Sequence, residues 1–158
     1  MIQIFRETVY QLRKTAITAI SIVAMAKVLG YSGMVGVIAV TLAGATSSYY
    51  PFFAPLIGAL GTFLTGSDTS SNILFGLLQK QTAIQLGINP VWLAAANTSG
   101  ACIGKLISPQ NIVIATVATG LVGKEGELMI NTLKYAVVFL VGMGVVTYLF
   151  VFYSLSLG

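Results

Sequence analysis

From Val28 to Ser67 no side chain carries a charge, and the stretch ends at Asp68, the only aspartate in the sequence. A bilayer core is crossed by about 20 apolar residues in one helix, so a run of this length is longer than one crossing needs. The whole chain agrees: 8% of residues are charged and 56% hydrophobic, with a mean hydropathy of +0.92. A soluble domain carries roughly 25% charged residues. Backbone polar groups in lipid must be satisfied within the chain, and helices do this segment by segment. The expectation is therefore an all-α integral membrane protein. Its least lipid-like part is the run Thr65-Gly66-Ser67-Asp68-Thr69-Ser70-Ser71-Asn72. An ionisable group inside a membrane segment marks a functional site by default.

Composition also removes whole classes of chemistry. The sequence has no histidine and a single cysteine, Cys102. Without histidine there is no Ser-His-Asp triad, Cys-His dyad or His-based zinc site. One aspartate leaves an intramembrane aspartyl protease without its partner. An enzyme is the least favoured class, and no cofactor is expected. The net charge of +4 owes much to Arg6, Arg13 and Lys14, which read as juxtamembrane anchors rather than a nucleic-acid surface. The same residues favour a cytoplasmic N-terminus by the positive-inside rule. No small-residue cleavage site follows a short apolar core, so no cleavable signal is expected.

Taken in order, the chain predicts an interfacial helix over 1–11 and a first span over about 12–30, with Lys27 snorkelling near its end. A second span is expected over about 34–48. Tyr49-Tyr50-Pro51-Phe52-Phe53 then supplies interface aromatics and a helix stop, with Pro55 starting the next helix. The piece from Pro55 to Leu64 is too short to cross alone. With Ile73 to Leu86 it reads as a re-entrant hairpin over 55–86 with its polar tip inside the membrane. Asn89-Pro90 and Ser108-Pro109 are each a cap followed by proline at the first helical position. They bracket a helix over 90–122 that is broken near the midplane, with Gly104 and Lys105 between Asn97–Gly100 and Ser108-Pro109. An aqueous loop, Gly123–Thr132, leads to a last span over 135–155. The expected architecture is a multi-span helical bundle with a re-entrant hairpin and a broken helix.

The polar breaks Ser67–Asn72, Asn97–Gly100 and Ser108–Asn111 all fall at helix termini, where unpaired N–H groups and a partial positive charge favour an anion. Asp68, Asn72 and Gln79 fall on one helix face, and Asn97 and Lys105 share another if that helix is continuous. Lys105 is the only cation between Gln81 and Gly123. Its functional reading is a counter-charge for an anionic substrate or a partner for Asp68; its bland reading is a snorkelling lysine. For Asp68 the bland reading is an N-cap. Gly100-x-x-x-Gly104 reads as close helix packing.

Several of these stretches together resemble the C-terminal part of the L-lactate permease family. They are Pro51-Phe52-Phe53-Ala54-Pro55-Leu56, Thr65 to Asn72, Ala94-Ala95-Ala96-Asn97-Thr98-Ser99-Gly100, Gly104-Lys105-Leu106-Ile107-Ser108-Pro109-Gln110 and Thr119 to Glu125. The resemblance covers about Tyr31 to Lys134. It implies a multi-pass carrier of the cell membrane that moves lactate, and related 2-hydroxy acids such as glycolate, by proton symport. Family members are several times longer. The implied partners are therefore lactate or glycolate, a proton, membrane lipid, and a missing N-terminal half or a second copy.

Under this reading Asp68 carries the proton. Lys105, Ser108, Asn97, Thr98, Ser99 and Gln110 bind substrate. Ser67, Thr69, Ser70, Ser71 and Asn72 form the hairpin tip. The rival readings are a sodium-coupled organic-anion transporter and a non-transporting membrane fragment or subunit.

Overall fold

The computed structural model describes the backbone of residues 2–156 and the side chains of 5–7, 10, 13 and 16–153. The described residues are all-α, with no strand. Of the three expected basic anchors, the Lys14 side chain lies outside the described set, and Arg6 and Arg13 are exposed.

Helix α1 (Ile2–Tyr31) is continuous, so the expected interfacial helix and first span are one element. Among the described residues, its Ala16–Tyr31 portion is an apolar helix shorter than a full crossing needs. Helix α2 (Met34–Thr46) passes through a 3-10 turn, Ser47–Tyr49, into α3 (Tyr50–Thr65). Together they make a 32-residue apolar run, Met34–Thr65. Ser47 marks the joint with φ 46°, a backbone state that costs a non-glycine residue about 1–3 kcal/mol.

The prolines act differently from expectation. Pro51 opens α3 instead of closing the helix before it, because the N–H it lacks would be unpaired in a first turn anyway. Pro55 then lies inside α3, where it cannot bond back to the carbonyl of Pro51.

Helix α3 ends at Gly66, which takes φ 72° and returns its N–H to the Thr62 carbonyl at 2.7 Å. Ser67 is extended and caps α4 (Asp68–Leu86) by accepting from the Ser70 N–H at 3.4 Å. Two residues thus turn the chain back on itself, and the re-entrant hairpin read from the sequence is present. Its arms are tied by Ser71 Oγ, which donates to the Gly58 carbonyl at 2.7 Å. Asn89 caps α5 (Pro90–Gly104) by accepting from the Val91 N–H at 3.0 Å. After the break, α6 (Pro109–Thr119) leaves at 41° to α5, which is the expected broken helix. The last helix, α7 (Glu125–Ser156), starts ten residues before the expected span. The acidic residues of the expected loop form its first turn, where the helix dipole favours them.

Helix α3 sits at the centre, packed on α4, α5 and α7, while α1 and α2 lie against α4. Its approach to α5 is main chain to main chain. A Cβ built on Gly100 would lie 2.5 Å from the Pro55 carbonyl carbon, and one on Gly58 would lie 2.7 Å from that of Asn97. The expected close packing at Gly100 and Gly104 is therefore present. On α7, Gly144 abuts the Phe52 carbonyl and Gly142 faces open space. Large apolar side chains point outward on several elements; Phe5, Val37, Leu64, Val122 and Phe152 are all at least 64% exposed. Lipid satisfies such a surface and water does not. Two described stretches are long and apolar enough to cross a membrane, Met34–Thr65 and Glu125–Tyr153; the bent pair α5–α6 counted as one span makes a third.

Candidate functional site

The hairpin tip meets the α5–α6 break. Asn111 Nδ2 donates to the Gly66 carbonyl at 3.1 Å, and Gln110 fills the space that a Cβ on Gly66 would need. A side chain at Gly66 would thus collide with Gln110 and would also have to adopt a left-handed backbone. The contact brings the N-termini of α4 and α6 to one place, and two helix N-termini facing one volume favour negative charge there.

Asp68 and Lys105 occupy that place. Lys105 Nζ lies 2.9 Å from Asp68 Oδ2, with the lysine 49% and the aspartate 24% exposed. The snorkelling reading of Lys105 gives way to an ion pair, and the cap of α4 is Ser67 rather than Asp68. Asp68 Oδ1 is buried and has no hydrogen-bond partner among the described residues. Cys102 Sγ stands 3.6 Å from Asp68 Oδ2 as a weak donor. Ser108, at the start of α6, is fully buried, and its hydroxyl neither caps the helix nor finds a partner among the described residues. Thr62 Oγ1 on α3 is in the same condition.

One helical turn further along α4, the polar face continues as a chain of side-chain amides. Tyr50 Oη donates to Gln79 Oε1 at 2.9 Å. Gln79 Nε2 donates to the Ala54 carbonyl at 3.1 Å and to Asn97 Oδ1 at 3.2 Å. Asn97 Nδ2 donates to Asn72 Oδ1 at 2.8 Å, and Thr98 Oγ1 lies 3.1 Å from the same oxygen. Gln79 and Asn97 are fully buried. In hydrocarbon such groups must pair internally, and here each supplies the other's partner.

Asp68, Asn72 and Gln79 do share one face of α4, and all three turn to α5. Asn97 and Lys105 both answer it, although α5 proper ends at Gly104.

Of the residues read from the sequence, Asp68, Lys105, Asn72, Asn97, Thr98 and Gln110 gather at this seam, and Ser108 lies buried at the break. Ser67 caps α4 and Ser71 ties the hairpin. Ser99 bonds back to the Ala95 carbonyl, Thr69 is exposed, and Ser70 contributes its backbone N–H to the Ser67 cap. Tyr50 corrects an expectation: it is fully buried in the amide chain instead of standing in an interface belt, whereas Tyr49 beside it is 66% exposed. Asn111 and Cys102 also join the site. The Ser108–Asn111 break pointed to the first. Nothing in the sequence pointed to the second except its position three residues before Lys105.

A helical bundle in which a re-entrant hairpin and a broken helix bring polar breaks together defines a multi-pass membrane protein of the kind that builds carrier sites from helix termini. The chain belongs to the L-lactate permease family, whose sequence model matches residues 1–154. It is 48% identical over 148 residues to the glycolate permease GlcA of Escherichia coli strain K12, covering 94% of this chain and 26% of that protein. To the L-lactate permease of Bacillus subtilis strain 168 it is 47% identical over 146 residues, covering 92% of this chain and 26% of the relative. The L-lactate permease of Salmonella typhimurium is 46% identical over the same length and shares. The chain thus spans about a quarter of the length of these relatives. The family is one of permeases, not of enzymes. No solved structure matches the chain.

Proposed function

We propose that the chain supplies the hairpin and broken-helix part of a cell-membrane carrier for lactate and short 2-hydroxy monocarboxylates such as glycolate, coupled to a proton. The observation that carries this reading is the Lys105–Asp68 pair at the junction of two helix N-termini. The empty pair is neutral. When a proton adds to the Asp68 carboxylate, Lys105 loses its partner and is left to bind the substrate carboxylate, beside Ser108 and Gln110 at the start of α6. One proton and one monoanion have then entered together, and the loaded site is neutral as well. Moving one uncompensated charge against 100 mV costs about 2.3 kcal/mol, and this exchange of partners avoids it. The names of the relatives, lactate and glycolate permeases, supply the substrate class.

The test is Asp68→Asn. It leaves Lys105 unpaired and removes the proton site, so exchange of labelled lactate across the membrane persists while accumulation driven by a pH gradient is lost. Accumulation by Asp68→Asn at wild-type rates overturns the proton role. A sodium-coupled reading rests on the same junction, because Asp68 Oδ1 and the Ser108 hydroxyl are buried oxygens without partners among the described residues and suit a hard cation. Uptake that follows Na⁺ at fixed pH selects that reading instead.

A further inference from the structure

The amide chain has a direction, and a backbone carbonyl sets it. The Ala54 carbonyl can only accept, so the end of the Gln79 amide that faces it at 3.1 Å is the N–H₂ end. Turning Gln79 round would put two acceptor oxygens against each other, with no proton between them. Once Gln79 is fixed, its Nε2 requires an acceptor from Asn97, so Asn97 Oδ1 faces it and Asn97 Nδ2 faces onward. Asn72 then meets that donor with Oδ1, and its own N–H₂ is turned away from the chain. Among the described residues Asn72 Nδ2 has no acceptor, and Asn72 is half-buried. It stands one turn, about 5.4 Å, from Asp68 on the same helix face. Three amides thus transmit the polarity of one buried carbonyl to the edge of the site.

We propose that Asn72 Nδ2 recognises the oxygen on C2 of the substrate, and that Gln79 is a positioning residue that keeps the donor end of that amide toward the site. This rests on the proposed function, with the carboxylate held at Lys105. A fixed donor accepts any oxygen at C2, hydroxyl or keto. It disfavours an acid with bare carbon there, which leaves the amide unpaired. The selectivity is therefore for 2-oxygenated acids as a class, and it is not a preference for hydroxyl over keto.

The experiment replaces the matching segment of the Bacillus subtilis permease with this chain, in a host lacking lactate uptake. KM and Vmax are measured for lactate, pyruvate and propionate. Asn72→Ala is expected to lower the preference for lactate over propionate by about tenfold, the equivalent of one hydrogen bond. Asn72→Asp presents an acceptor to the site, so it raises the preference for lactate, whose hydroxyl can donate, over pyruvate by a similar factor. Added charge penalises both anions alike and drops out of that ratio.

Gln79→Met releases the direction of the relay and lowers the lactate-to-propionate preference through KM, with Vmax for lactate retained. If it fails to assemble, Asn97→Ala cuts the relay one link later and carries the same expectation. Tyr50→Phe leaves the Ala54 anchor in place and keeps the preference. Unchanged ratios in both Asn72 variants, with lactate uptake intact, overturn the donor assignment. A preference kept by Gln79→Met or Asn97→Ala overturns the relay. Lys105→Ala separates these outcomes from the parent reading. If it leaves uptake of all three acids intact, or if the unsubstituted chimera is inactive, the proposed function fails and this inference with it. If it abolishes uptake while the Asn72 ratios stay fixed, this inference alone fails.

Discussion

Lys105 and Asp68 form an ion pair that the described residues bury only in part, so it contributes little to folding. Lys105→Ala should accordingly leave the thermal unfolding midpoint in detergent almost unchanged while abolishing lactate uptake. A large fall in the midpoint would recast the pair as a structural tie. Cys102 offers a second residue-level check because it is the only cysteine and stands against Asp68. Labelling of Cys102 by a maleimide should slow when lactate is present, and Lys105→Ala should remove that protection. Labelling indifferent to lactate would place the substrate elsewhere.

At the level of the helices, the α3–α5 contact predicts a contrast among glycines. Gly100→Ala drives a methyl group into the main chain of Pro55, and overpacking of this kind costs about 1–3 kcal/mol. Gly76, in the middle of α4, has nothing within 4 Å of its Cβ position, so Gly76→Ala should be neutral or stabilising by up to about 1 kcal/mol. Equal effects on the unfolding midpoint would contradict the packing described. The helix start at Asn89-Pro90 and the turn at Gly66-Ser67 were legible in the sequence, because capping chemistry is local, and Ser108-Pro109 was legible through its proline although the Ser108 hydroxyl does not cap. The pairing of Asp68 with Lys105 was legible as one of two roles, since so few charges are available in that part of the chain.

What the sequence did not disclose depends on register between helices. Tyr49 and Tyr50 look alike on paper, and only the packing of α3 on α4 decides that the second is buried. Gln79 was visible as a member of a polar face, but its bonds to Ala54 and Asn97 follow from the α3–α4 and α4–α5 registers together. The start of α3 was misread because Pro51 and Pro55 are both compatible with a first turn, and a stop and a start share the same residue type.

For the whole molecule, the outward-facing apolar side chains and the relatives' greater length bear on one measurement. Expressed in a host without lactate uptake, the chain together with the preceding part of a full-length relative should accumulate lactate, and the chain alone should not. Accumulation by the chain alone would mean that copies of it complete the site for one another.

The main-chain contact between α3 and α5 limits how such a carrier can move. Where side chains interdigitate, two helices can slide by exchanging rotamers. At Gly58, Gly100 and Gly104 there are no side chains to exchange, only carbonyls seated against Cα atoms. Helices α3 and α5 therefore travel as a welded pair. With α4 bonded to both of them, any change of access must bend the chain outside that block. The places outside that block are the turn at Ser32–Gly33, the 3-10 joint at Ser47–Tyr49, the break between α5 and α6, and the turn at Gly120–Lys124.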